Sequence, residues 1–189
     1  MTIQIRPYRP SDRPSLEALS AELLDAMVDS DPWGRLTRTE AYARTDVRMI
    51  LHYAKKHKGF ILVATDRGRP VGFAAGWISP TQFHRRQSEK PNRTGYVSDL
   101  AVLKDWRGKG IGTRLITTSE QWFRRMGCDT TSLGVFYPNA RARRLYAACG
   151  YSPRSLFLSK RIGTPPATWK EALRGPEKHP KKRSRGRWG

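Results

Sequence analysis

The stretch that most constrains the fold is residues 95–112, GYVSDLAVLKDWRGKGIG. An apolar strand runs directly into Arg107-Gly108-Lys109-Gly110-Ile111-Gly112, and a segment of helical period follows. Three glycines in five residues let the backbone turn tightly and aim several N–H groups at one spot, while the helix behind them adds its positive end. Strand, glycine turn and helix in this order predict an α/β domain with a loop shaped for a pyrophosphate.

Spacing narrows the kind of loop. A P-loop needs Gly, four residues and then Gly-Lys-Ser/Thr, but Gly108-Lys109 is followed by Gly110, with no hydroxyl placed for magnesium. A dinucleotide fingerprint needs a third glycine at position 113, which is Thr113. The pattern that fits is Arg-x-x-Gly-x-Gly, from Arg107 to Gly112. With the preceding Leu100-Ala101-Val102 and the later Asn139…Tyr146, it resembles the GNAT superfamily of acetyl-CoA-dependent N-acetyltransferases, across roughly residues 3 to 162 and most strongly from Gly95 to Tyr151.

The resemblance implies a central mixed, mostly antiparallel sheet of six to seven strands flanked by about four helices, splayed between strands four and five. It implies acetyl-CoA as cosubstrate, with backbone amides of Leu100, Ala101 and Val102 taking the thioester oxygen and pantetheine arm. Gly108, Lys109, Gly110, Ile111, Gly112 and Thr113 then hold the phosphates, Arg107 pairs with a phosphate, and Asn139 hydrogen-bonds pantetheine. Lys109, Arg141 and Arg144 are further candidates for the remaining phosphates, or equally surface charges. No metal is implied.

Acetyl transfer from a thioester to an amine requires a neutral amine, a stabilised oxyanion and a proton for the thiolate. By the family's Asn-x6-Tyr spacing, Tyr146 is the general acid, and a phenol near pKa ~10 keeps its proton at neutral pH. The competing role is a core tyrosine beside Leu145 and Ala148. Asp99 is the acid within strand four. It stands where polyamine acetyltransferases of the superfamily carry a Glu-Asp pair, but Ser98 occupies the partner position, so Asp99 is an orienter, a base acting through water, or a cap on a bulge. Ribosomal alanine-type acetyltransferases carry a glutamate on strand five where this chain has Gly134, which counts against their substrate.

The rest of the chain alternates in period. Ile3 and Ile5 predict a strand. Ser11 caps a helix over about 12–28, with Leu16, Leu19, Leu23 and Met27 on one face, and a second helix spans about 40–56. Residues 60–64 and 71–78 predict a hairpin turning at 66–70, and strand four spans 96–103. Ile111, Leu115, Trp122 and Met126 form the core stripe of the helix after the glycine loop, which Gly127 ends. A fifth strand over 131–136, a helix capped by Asn139 and closed at Cys149-Gly150-Tyr151, and a last strand or strands over 151–161 complete residues 1–162.

At 189 residues, 38% apolar, with six Trp, seven Tyr and six Phe, the chain suits one globular domain. No apolar run reaches the ~20 residues of a membrane span and the N-terminus lacks a signal peptide, so a cytoplasmic protein is expected. Cys128 and Cys149 are read as reduced thiols. The formal net charge is +20, and residues 163–189 hold only eight bases and two acids, so the excess is not confined to this basic, disordered tail. Such a body repels polycationic acceptors unless a local acidic pocket exists. The tail is a solubilising extension or a contact to RNA or the ribosome, and a CoA-binding protein with little turnover is the alternative to an enzyme. Residues 81–94 are an acceptor-side loop or an ordinary connection, with His84 as a surface residue. The acceptor amine and the choice between monomer and homodimer stay open.

Overall fold

A computed structural model describes residues 2–79 and 92–164 of the chain. The predicted loop over 81–94 falls mostly outside these residues, as do nearly all of the tail and its possible helix at 168–173. The chain divides into two units, Met1–Ser152 and Pro153–Gly189.

In the first unit the order is β1 Ile3–Pro7, α1 Arg13–Ser30, α2 Tyr42–Lys56, β2 Phe60–Asp66, β3 Arg69–Ile78, β4 Thr94–Val102, α3 Ile111–Arg125, β5 Thr130–Leu133 and α4 Ala140–Ala148. The five strands form one sheet in sequential order, antiparallel from β1 to β4 and parallel from β4 to β5. The α/β class, the mixed sheet and the four helices found among the described residues are as expected.

Strand alternation sorts the core into two layers. Phe60, Leu62 and Ala64 of β2 join Val97, Ile111, Leu115, Ile116 and Phe123 on the α3 side. Ile61 and Val63 join Leu16, Leu19, Val47, Ile50, Ala75 and Ala101 under α1 and α2. Of the stripe expected on α3, Ile111 and Leu115 are buried and Trp122 packs half-buried against the same cluster, 5.1 Å from the Phe60 ring. Ile116 and Phe123 are buried as well and Met126 is half-buried, because Phe123 faces the sheet where Gly76 and Gly95 leave room for its ring.

Two other expectations change. Ser11 does not cap α1; it lies in a 3-10 turn, Pro10–Asp12, and the residue at the cap is Asp12. Asp12 is 4% exposed and receives both Arg6 Nη1 and Nη2 at 2.7 Å, tying β1 to the head of α1. That guanidinium is the main reason its carboxyl lies below the usual carboxylate range. The strand expected over 151–161 is absent among the described residues, so the sheet described has five strands, not six or seven. In the second unit residues 153–164 form no helix or strand, and Leu156, Phe157, Leu158 and Ile162 are largely exposed. A strand needs a partner edge to satisfy its backbone, and apolar β-propensity alone does not supply one.

Candidate active site

The geometry of the site begins with a disagreement between two neighbours of β4. Against β3 the whole strand is paired, down to Val102 opposite Gly72. Against β5 only Thr94 to Val97 are paired. Among the described residues the outer edge from Ser98 to Val102 therefore has no partner strand, and its backbone groups face a gap. The register slips where this begins: Asp99 lies opposite Ala75 and Val97 opposite Gly76, leaving Ser98 as the bulged residue with its hydroxyl 3.3 Å from the Ala75 carbonyl.

The glycine turn stands at the open end of that gap. Gly108 and Gly110 have φ of +77° and +76°, a left-handed conformation that costs an L side chain energy. A Cβ built on either would meet nothing within 4 Å, so conformation, not crowding, selects glycine there. Gly110 is the cap residue of α3, and no side chain caps this helix nor does an acid stand in its first turn. The first amide drawn into the helix is Arg114 N–H, bonded to the Gly110 carbonyl at 3.1 Å. Amides at Ile111, Gly112 and Thr113 precede it and, as at any helix start, have no acceptor within the helix. Gly112 has a separate reason to lack a side chain, since its Cβ would lie 3.1 Å from Leu145 of α4. Thr113 hydrogen-bonds Cys149, and Lys109 Nζ sits 4.9 Å over the Trp106 ring.

Arg107 occupies a position the sequence did not suggest. Its Nε donates to the Val102 carbonyl at 2.8 Å and its Nη2 reaches Glu22 of α1 at 3.4 Å. The same Glu22 carboxylate accepts the Lys104 N–H at 3.0 Å. The guanidinium expected on a phosphate thus spans the end of β4 and α1, bracing the connection into the loop. Arg141 and Arg144 are exposed on α4.

Asn139 is the cap of α4, its Oδ1 accepting the Ala142 N–H at 3.0 Å. Tyr146, seven residues on, packs with Tyr151 at 6.0 Å between rings. Burial is the main cause that pushes its phenol up to about 12, with smaller contributions from Tyr151, Cys149, Asp99 and Tyr96. Tyr146 and Asp99 are therefore within electrostatic reach of one another across the gap. Asp99 is half-buried, and loss of water is the main cause that pushes its carboxyl up to about 6. Of the residues predicted from sequence, Leu100 and Val102 turn toward the α3 layer and Ala101 toward the α1–α2 layer, so what all three offer the gap is backbone.

Sequence reasoning missed the residues facing Asp99. Its register partner Ala75 packs under α1 and α2, which places Asp99 on the face those helices cover. Asp46 of α2 points there, held by the Ser20 hydroxyl of α1, which donates to Oδ2 at 2.6 Å. Burial raises the Asp46 carboxyl, opposed by Ser20, and its charge reaches Asp99. Tyr42, one helical turn before Asp46, is pushed up to about 12, by burial first and then by Asp46 and Asp99. Tyr96 is raised by burial and by Asp99, and its ring packs 5.9 Å from Trp77, which stacks on Tyr53 of α2 at 5.3 Å. Nothing local in the sequence marks this set; only the i, i+4 spacing of Tyr42 and Asp46 was available.

An uncapped helix start beside a half-open sheet edge, with a phenol and a carboxyl on its flanks, is the architecture of an acyltransferase. The acetyltransferase (GNAT) family pattern matches residues 21–151, and the chain belongs to that family. An uncharacterized N-acetyltransferase of Archaeoglobus fulgidus is 33% identical over 116 residues, 58% of this chain and 74% of that protein. YycN of Bacillus subtilis, also an uncharacterized N-acetyltransferase, is 29% identical over 87 residues, 46% of this chain, so the match spans only about half (53%) of that relative. Among solved structures, the aminoglycoside N-acetyltransferase AAC(6')-Iy in complex with CoA shares the fold at a TM-score of 0.63, with 19% identity over 85% of this chain and 95% of that one. Among the described residues no helix is long and apolar enough to cross a membrane, and no group of His, Cys, Asp and Glu could hold a metal ion.

Proposed function

We propose that the protein transfers the acetyl group of acetyl-CoA to a primary amine by direct attack in a ternary complex. The observation that carries this reading is the open edge of β4 from Ser98 to Val102, placed beside the uncapped amides of Ile111 to Thr113. The two features fit the two ends of one ligand: a diphosphate at the helix start and an extended amide-bearing arm along an unpaired strand. When bound, acetyl-CoA supplies an activated acyl carbon.

This chain's residues then divide the work. Free amides of β4 near Leu100 to Val102 take the negative charge that develops on the carbonyl oxygen. Asn139 keeps its cap through Oδ1 and offers Nδ2 to the arm. The amine nitrogen bonds to the acyl carbon as the C–S bond breaks. Tyr146 gives its proton to the departing sulfur, and the amine's surplus proton passes to Asp99 directly or through water. A phenol near 12 holds its proton throughout the neutral range, and a carboxyl near 6 is ionised at pH 7 while still basic enough to share a proton.

Titration with acetyl-CoA followed by thiol release over an amine panel tests the reading. Tight binding and amine-dependent release are expected, and binding without release on any amine contradicts transfer. Tyr146→Phe should lower kcat by about tenfold to hundredfold while acetyl-CoA affinity stays within about twofold. Unchanged kcat removes Tyr146 from the chemistry.

A further inference from the structure

The acceptor end of the site can be read further, on the assumption that the thioester lies along the open β4 edge as proposed above. Three elements converge there. Asp99 stands on the sheet face covered by α1 and α2, opposite Ala75 in register. Asp46 is set at the junction of those helices, its carboxylate fixed by a 2.6 Å bond from Ser20, a residue fully buried beside Leu19. Tyr42 shares the helix face of Asp46 one turn earlier, and Tyr96, with Trp77 behind it, shares the sheet face of Asp99.

These groups lie on the sheet face that α1 and α2 cover, Asp99 by its register opposite Ala75 and Asp46 by its bond from Ser20 of α1, and each acts electrostatically on a neighbour in the set. Asp99 also acts on Tyr146, the acid proposed for the leaving sulfur. Two carboxylates deprived of water, with no Lys or Arg hydrogen-bonded to either among the described residues, are costly unless a cation comes between them.

We infer that Asp46 is a specificity-determining residue which, together with Asp99, holds the ammonium group of the acceptor, and that the acceptor is a primary amine carrying a single positive charge at its reacting end. Tyr42 and Tyr96 flank the carbon next to the nitrogen, a setting that suits an ammonium on an apolar or aromatic body. The limit to one charge follows from the rest of the protein. Net charge is +20, so the far end of a polyamine leaves this acidic pair and meets repulsion. Asp46 selects the amine and Asp99 handles its proton, so the two should separate in kinetics.

The test is steady-state thiol release at saturating acetyl-CoA with 2-phenylethylamine, n-butylamine and spermidine, in the wild type, Asp46→Asn and Asp46→Glu. Asparagine keeps an oxygen for Ser20 and removes only the charge. Asp46→Asn should raise KM for the two monoamines about tenfold or more while kcat and the KM for acetyl-CoA stay within about twofold, with Asp46→Glu recovering part of the loss. Spermidine should show a higher KM than either monoamine in the wild type. An unchanged monoamine KM in Asp46→Asn, or spermidine as the better substrate, overturns the inference and leaves acetyl transfer standing. Should no amine release thiol, the transfer reading fails, and calorimetric titration of 2-phenylethylamine into the protein–CoA complex decides this one: weaker binding in Asp46→Asn than in wild type supports it, and equal or absent binding in both defeats it.

Discussion

The two halves of the site are built by opposite means. On the proposed phosphate side, the groups on offer are consecutive main-chain amides from Gly108 to Thr113, presented by two left-handed glycines and a helix that lacks a side-chain cap. On the proposed acceptor side they are side chains, Asp46 from α2, Asp99 from β4 and Tyr42 and Tyr96 around them, brought together from two distant parts of the sequence. The first half is exposed and held in backbone conformations that glycine adopts freely; the second is half-buried and rests on side chains. A main-chain site depends on conformation and tolerates different side chains, whereas a desolvated carboxylate site depends on the identity of single atoms. Substitution should therefore affect the two halves in different ways.

The largest effect is expected at Asp99. Asp99→Asn should reduce kcat by about a hundredfold or more, the scale of a lost proton acceptor. In the wild type, kcat/KM should climb as pH rises through about 6, where Asp99 ionises, and that limb should vanish in the variant. Stability should move the other way. A carboxyl raised in the folded state contributes stability that is present below its unfolded pKa and lost as pH rises through about 6, so Asp99→Asn should melt higher than wild type at pH 7. A variant that loses activity and stability together would place Asp99 in the scaffold instead.

Gly110→Val comes next. A β-branched residue forced to a φ near +76° strains the turn by about 1–3 kcal/mol and blocks the space above the amides, so acetyl-CoA affinity should fall about tenfold to hundredfold, measured by calorimetry. The KM for the amine should hardly change. Normal affinity in a folded variant would erase the distinction drawn between a conformational and a chemical half.

Glu22→Gln should have the smallest effect. Glu22 braces the connection between the halves through Arg107 and the Lys104 amide, but the ion pair is partly exposed and worth at most about 1 kcal/mol. Acetyl-CoA affinity should fall by no more than about fivefold, and less at high salt. A much larger loss would mean that α1 controls the loop directly.

The same contrast explains how much could be read from sequence. Local chemistry was legible: the glycine turn, the hairpin closing at Arg67-Gly68, the Asn139 cap and the end of α3 at Gly127 each follow from a residue acting on its own neighbours. Contacts made over distance were not. Phe123 and Trp122 are adjacent, both suit a core and both pack on Phe60, and only the sheet glycines decide between them: a side chain at Gly95 would run into the Phe123 ring. The contact of Arg107 with Glu22 could not be read, because the two lie 85 residues apart. That Leu145 of α4 also needs the space beside Gly112 could not be read either. Asp46 had no signal at all, since an aspartate inside a basic amphipathic helix reads as a solvated charge until Ser20 and Asp99 are brought beside it.

The claim that supports the rest is that main-chain amides at the start of α3 hold the diphosphate of coenzyme A. A crystal structure of the protein with saturating acetyl-CoA tests it most directly. The account requires diphosphate oxygens within hydrogen-bond distance of amides between Gly108 and Thr113, with the acyl sulfur leading along β4 toward Tyr146. Coenzyme bound at any other place, or no coenzyme bound at saturation, would contradict it.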